Sequence, residues 1–293
     1  MDDRDFLAER FEEHRTHLKA VAYRMLGSLT EADDAVQEAW LRLARAGTGE
    51  IGNLGGWLTT VVGRVCLDML RSRTQRGETP LEARLPDPVV TEPATDPERQ
   101  ALIADSVGLA LLVVLEALTP PERLAFVLHD MFGLPFEDIA PIIDRTPVAA
   151  RKLASRARRR VRGAAPAPDP DPVAQRRVVD AFLTAARDGD FDALVAVLHP
   201  DVVLRADGGK ALPGGMRVLR GRDAVAGQAA TFHRTALRTT SRPALVNGTA
   251  GLVNSLDGEP FSVMAFTVTD DRITAIEILS DPARLAALNP TVP

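Results

Sequence analysis

Between residues 145 and 163 the chain carries eight arginines and lysines and no acid. Ala150, Leu153, Ala157 and Val161 recur at spacings of 3, 4 and 4, which gives a helix one apolar face and leaves the cations on the others. Guanidinium groups on such a helix can bond guanine edges bidentately in a major groove, and the remaining cations can hold phosphates. Arg145, Arg151, Lys152, Ser155, Arg156 and Arg159 are the candidates. The bland alternative is a solvated charged surface helix, but no neighbouring acid in the sequence relieves the like charges.

Other reactive residue types are sparse. Cys66 is the single cysteine and sits in an apolar helical pattern, so it reads as a small buried hydrophobe. Five histidines are scattered without ligand spacing, and neither a metal nor a cofactor is expected. In the last third, Asp201, Asp207 and His233 could act as bases, but the only tyrosine, Tyr23, lies in the first helical segment, so no tyrosine can supply an oxyanion donor there.

The elements that must position these residues fall into three groups. At 293 residues the chain is long enough for two or three domains. Its net charge of −5 hides an asymmetry: 13 acids against 3 bases over residues 77–144, followed by the basic block. Residues 1–76 read as helices, with Phe11, Leu18, Val21, Ala22 and Met25 forming one stripe that ends at Gly27. A second stripe, Ala32, Val36, Ala39, Trp40 and Leu43, leaves Glu31, Asp34, Gln37, Glu38 and Arg42 outward; Thr30 and Asp33 resemble a capping pair. A third helix spans 57–73. Residues 77–105 are rich in proline and acid and read as a linker too polar to bury a core. Helices resume over 106–163, where a short helix, 135–143, and a turn precede the basic helix, a helix-turn-helix arrangement. A Pro/Asp joint over 164–172 leads to residues 173–293, where two helices are followed by strands, the pattern of an α+β domain. The most apolar run, 109–118, is too short to span a bilayer and the acidic start lacks a signal-peptide core, so a cytoplasmic location without membrane association is expected.

The segments AYRMLGSLTEADDAVQEAWLRL, GWLTTVVGRVCLDMLRSR and LTPPERLAFVLHDMFGLPFEDIAPIIDRTPVAARKLASRARRRV resemble, in order, regions 2 and 4 of extracytoplasmic-function (group 4) RNA polymerase sigma factors. The resemblance implies two all-α sigma domains: a region 2 helical bundle and a region 4 helix-turn-helix. It also implies RNA polymerase core (clamp helices and flap) and promoter DNA as partners. Asp33, Asp34, Gln37 and Glu38 would meet the clamp helices. Asn53, Trp57, Thr59, Thr60, Arg64 and Arg71 would hold the unpaired −10 strand, Trp57 either as a stacking surface or as core. The basic helix would read the −35 duplex. The segment VVDAFLTAARDGDFDALVAVLHPDVVLRADGG is similar to a SnoaL-like (NTF2-like) cone, a fusion found in one subgroup of these factors. Three short motifs resemble that subgroup's: RLPDP (with Leu85, Pro86, Asp87, Pro88), DGGK (Asp207, Gly208, Gly209, Lys210) and DPARL (Asp281, Pro282, Arg284, Leu285). They imply regulatory contacts between linker and tail, with or without a small-molecule ligand in the cone. Asp207 before two glycines is also what a tight turn wants, and a catalytic cyclase or isomerase domain is the competing reading.

Overall fold

The computed structural model describes residues 3–46, 52–75, 84–91, 108–164, 168–213, 215–231 and 238–288. These divide into two units. One comprises 3–46, 52–75 and 114–164; the other comprises 84–91, 108–113 and the described residues from 168 onward.

In the first unit the apolar spacings become three packed helices, α1 (Asp3–Leu26), α2 (Leu29–Ala46) and α3 (Leu54–Gln75). Phe11, Leu18, Val21, Ala22, Met25, Val36, Leu43, Leu58 and Val62 are all buried between them. Each large aliphatic withdrawn from water contributes about 1.5–3 kcal/mol. α1 stops where expected, with Gly27 at φ 69° and its N–H donating to the Tyr23 carbonyl at 2.8 Å. α2 starts two residues earlier than a Thr30 cap would place it, because the Ala32 N–H already donates to the Ser28 carbonyl.

α4 (Leu109–Glu116) crosses from one unit to the other. α5 (Pro120–Phe126) runs into a π-helical stretch (Val127–Met131), then α6 (Phe136–Ile139) and α7 (Pro147–Ala164) follow. α6 is shorter than the 135–143 expected. Residues 140–144 form turns instead, ending with Asp144 at φ 54°. Region 2-like and region 4-like helices share one core: a side chain at Gly63 of α3 would sit 3.1 Å from a Leu128 methyl. In addition, the buried Arg123 guanidinium donates to the Met25 carbonyl at 2.8 Å. Burial lowers the Arg123 pKa to about 10, with Glu116 opposing that shift.

The second unit is built on a seven-stranded sheet in the order β1-β4-β5-β6-β7-β2-β3. Its strands are β1 (Val90–Thr91), β2 (Leu198–Asp207), β3 (Met216–Arg220), β4 (Thr239–Val246), β5 (Thr249–Leu256), β6 (Glu259–Thr269) and β7 (Arg272–Leu279). Only β2 and β7 pair parallel. The β4–β5 and β5–β6 hairpins turn on Asn247-Gly248 and Asp257-Gly258, all four residues at positive φ as a type I′ turn requires. Three helices, α8 (Pro172–Asp188), α9 (Phe191–Val197) and α10 (Arg222–Thr231), cover one sheet face over a core including Val179, Phe182, Leu194, Val225, Phe266 and Ile276. α11 (Pro282–Leu288) packs against β6.

The expectation of a polar linker is corrected over 84–91. Leu85 to Thr91 are buried, and β1 adds to the sheet edge with Val90 opposite Val246 and Thr91 opposite Leu245. Local composition pointed to solvent because the apolar positions Leu85, Val89 and Val90 find their partners more than 100 residues away.

Candidate functional site

α7 buries Ala150, Ala154 and Ala157 and turns its cations outward. Thr146 Oγ1 accepts from the Ala149 N–H at 3.3 Å, starting the helix immediately after the turn. Arg145, Arg151, Lys152, Ser155 and Arg159 are exposed; Arg145 donates to the Asp144 carbonyl and Arg151 lies 5.4 Å over the Phe136 ring. Among the described residues no acid pairs with Arg151, Lys152 or Arg159.

Three cations of the block find carboxylates in the fold that the linear sequence does not reveal. Arg156 Nε donates to Glu122 Oε1 at 3.0 Å, Arg160 Nη1 to Glu122 Oε2 at 2.9 Å, and Arg158 Nε to Asp130 Oδ1 at 2.8 Å. Glu122 is also held by the Thr119 N–H and hydroxyl at the start of α5. Burial alone would raise its carboxyl; the Arg156 and Thr119 hydrogen bonds and the Arg160 charge outweigh it and hold the pKa below the ordinary range. Glu122 and Asp130 were missed by sequence reasoning. The contact of Glu122 with Thr119 is local, but its partners on α7 lie 34 and 38 residues away.

At the start of α3, Asn53 Oδ1 accepts from the Gly56 N–H at 3.0 Å, and Trp57 is half-buried. Thr60 Oγ1 donates to the Gly56 carbonyl, leaving its lone pairs available. Thr59 is corrected: it is 2% exposed, donates to the Gly55 carbonyl at 2.8 Å and meets His17 Nε2 at 3.2 Å, so its hydroxyl is committed inward. Helical phase puts Thr59 beside Leu58 in the bundle seam. Arg64 and Arg71 are exposed. Burial, with the His14 and Arg24 charges adding to it, lowers the pKa of His17.

On α2, Asp33, Asp34 and Gln37 are exposed and Glu38 is partly so. Lys19 pairs with Asp33 and Arg42 with Glu38, both at 2.9 Å, so the acidic face is softened by bases of its own unit.

The second unit brings the three short motifs together. Asp207, 2% exposed at the end of β2, accepts the Leu85 N–H at 2.8 Å and Arg284 Nη1 at 2.6 Å on Oδ2, and the Gly209 N–H at 3.1 Å on Oδ1. Arg284 also donates to Asp87 Oδ1 from Nη2 at 2.6 Å and to the Leu85 carbonyl at 2.7 Å. One guanidinium thus fastens the 84–91 segment to β2 through two carboxylates and a carbonyl, the forked geometry that arginine provides and lysine lacks. Asp281 Oδ1 accepts the Ala283 N–H and orients α11, on which Arg284 and the buried Leu285 sit. Gly209, at φ +53°, is required: a Cβ there would fall 2.1 Å from Asp281 Oδ2. Pro86 and Pro88 are buried, Gly208 closes on Leu212, Pro282 opens α11, and Lys210 is exposed. A further clip was not foreseen: Asn247 exchanges hydrogen bonds with Val89, accepting its N–H at 3.0 Å and donating to its carbonyl at 2.8 Å.

Of the candidate bases, Asp201 is exposed, Asp207 is consumed by the latch, and His233 lies outside the described residues. Glu277, which the sequence did not single out, is buried beside Arg205 at 3.0 Å; burial raises its pKa to about 7, opposed by Arg205.

Three family profiles match: sigma-70 region 2 at residues 10–76, sigma-70 region 4 at 108–161, and a SnoaL-like domain at 179–276. Among curated relatives, the ECF RNA polymerase sigma factor SigJ of Mycobacterium tuberculosis is 42% identical, with 93% of this chain and 91% of the relative covered. The probable ECF sigma factor SigI of the same species is 36% identical, with 98% of each chain covered. The crystal structure of M. tuberculosis SigJ superposes with a TM-score of 0.78 at 37% identity, covering 97% of this chain and 99% of that one.

Proposed function

Because this chain belongs to the extracytoplasmic-function RNA polymerase sigma factors that carry a C-terminal SnoaL-like domain, we propose that its own C-terminal domain regulates it by capturing the segment between regions 2 and 4. The chain is a transcription-initiation sigma factor, partnered by RNA polymerase and promoter DNA. The observation that carries the regulatory reading is the Arg284 latch, which ties Leu85 and Asp87 to Asp207.

The reasoning is one of reach. The −10 and −35 elements are separated by roughly 25 base pairs, about 85 Å at 3.4 Å per base pair. Yet α3 and the region 4 helices share one core at Gly63, Leu128 and Arg123. Reading both elements requires that core to open, and the joining segment must then extend. With residues 84–91 held in the sheet, only the flanking residues of that segment are left to span the gap, so the latch favours the closed, silent form. Once open, Arg151, Lys152, Ser155 and Arg159 face the −35 duplex with Arg145. Asn53, Trp57, Thr60, Arg64 and Arg71 face the −10 strand, and the Asp33, Asp34, Gln37 and Glu38 surface meets the polymerase clamp in the cytoplasm. The occupation of Asp207 by three donors supports regulation over catalysis, since no proton-accepting lone acid remains at that motif.

In vitro transcription from a cognate promoter tests this. Arg284→Met should raise initiation severalfold over the parent at equal polymerase concentration. Unchanged initiation, with the segment demonstrably released, would refute it.

A further inference from the structure

Strand addition is used at one edge of the sheet, where the 84–91 segment contributes β1 beside β4. At the opposite edge no further strand pairs with β3 among the described residues. The Gly208 N–H donates to the Gly215 carbonyl at 3.1 Å, and the Gly221 N–H to the Val202 carbonyl at 2.8 Å. Combined with the antiparallel register, in which Val203 faces Arg220 and Asp207 faces Met216, these bonds fix the phase of the ladder. Residues 215, 217, 219 and 221 turn their backbone groups to β2. The N–H and C=O groups of Met216, Val218 and Arg220 therefore point away from the sheet. Among the described residues nothing pairs with them.

The side chains along this edge are exposed: Arg217, Arg220, and Val218 at 43%. Neither guanidinium meets a carboxylate among the described residues. They project to opposite faces, because Arg217 lies opposite Ala206 and Arg220 opposite Val203. Val218 lies between them, on the Arg220 face.

We propose that the β3 edge is a docking strand for an acidic, extended peptide segment of a partner protein, which pairs antiparallel with Met216–Arg220. The chemistry specifies the guest. Open backbone groups at alternate residues select an extended chain, and a free cation on each face selects carboxylates three residues apart. An acid opposite Arg220, any residue opposite Leu219, an aliphatic residue opposite Val218 and an acid opposite Arg217 meet every exposed feature. Duplex DNA would satisfy the two cations but not the outward amides.

The test uses the full chain and a fluorescein-labelled peptide, STETVETS, read by anisotropy and by hydrogen exchange over residues 216–220. The parent should bind it and gain protection there, while the lysine peptide STKTVKTS should not bind. Val218→Pro deletes one outward N–H and leaves the β2 ladder untouched, so thermal stability should hold while affinity falls at least tenfold. R217E/R220E should lose the acidic peptide to a similar degree and gain the lysine peptide, a charge-swap rescue that a folding defect could not produce. Three results would overturn the proposal: equal binding by Val218→Pro, binding without protection at 216–220, or concentration-dependent self-association abolished by Val218→Pro, which would make a second copy the occupant. Displacement of bound peptide by duplex DNA with the protection retained would also count against it.

Discussion

Arg284→Met is the perturbation that most directly tests how the 84–91 segment is held. Its guanidinium makes close hydrogen bonds to Asp207, Asp87 and the Leu85 carbonyl, and its side chain is only 10% exposed. Methionine keeps much of the volume but leaves two buried carboxylates facing each other. Removing one partner of a buried ion pair costs about 3–5 kcal/mol. Arg84 lies 3.6 Å from Asp87 and offsets part of this, so the lower end, about 3 kcal/mol, is expected. At 1.4 kcal/mol per decade that is roughly 100-fold in the equilibrium between captured and released segment. The Leu85 amide, which donates to Asp207, and the Asn247 amide, which donates to Val89, should exchange faster by about that factor. For a folded unit of this size each kcal/mol shifts the midpoint by about 2–4 °C, so Tm should drop by about 6–12 °C. Arg284→Lys keeps the charge but not the fork and should fall between. The double variant with Asp207→Asn should lose less than the sum of the singles, because both remove the same contact. Exchange at 84–91 within threefold of the parent, together with strictly additive losses, would refute the latch.

Four further outcomes follow from other sites. Arg123→Met strands the Met25 carbonyl, which costs about 1–3 kcal/mol, and should loosen the shared core of the first unit; the distance between dyes placed at Gln37 and Ser155 should then lengthen. On a promoter duplex, Arg151→Ala should weaken binding more than Arg156→Ala, because Arg156 is already spent on Glu122. Glu122→Gln frees two cations and should tighten non-specific binding and steepen its salt slope, by up to about 0.9 per new phosphate contact in fluorescence titrations. Glu122's depressed carboxyl pKa adds stability that is present above the ordinary carboxylate range and is lost as pH falls through its folded value. Glu277 acts with the opposite sign. Its folded pKa is raised to about 7, so the folded state holds the proton longer and stability declines as pH rises from the ordinary carboxylate range to about 7. Glu277→Gln should flatten that part of a Tm–pH profile.

Much of this was legible because helices announce themselves locally. The stripe from Phe11 to Met25, the stop at Gly27 and the basic face of α7 all follow from spacings of a few residues. What the sequence concealed was everything decided at long range. Val90 and Leu85 sit in a proline-rich, acidic stretch and read as solvated, since nothing nearby hints that β4 and Asp207 will cover them. The charge block over 145–163 looked unrelieved because Glu122 and Asp130 lie 28 to 38 residues from their arginines. Thr59 looked available because hydroxyl chemistry is visible in a sequence and burial within a helix seam is less so. The motifs around Leu85, Asp207 and Arg284 were recognisable by resemblance, but which atom holds which could only come from coordinates.

The order in which the latch parts leave the ribosome gives the molecule a history. Leu85 and Asp87 emerge long before Arg284, which follows them by 199 and 197 residues. At about 5–20 residues per second, their final fastening lags by roughly 10–40 s. During that interval the region 2 helices, complete by Gln75, can fold and meet polymerase while the joining segment is still unclaimed. Each newly made copy therefore passes through an unlatched youth that outlasts the synthesis of its final strand and ends only when Arg284 has followed.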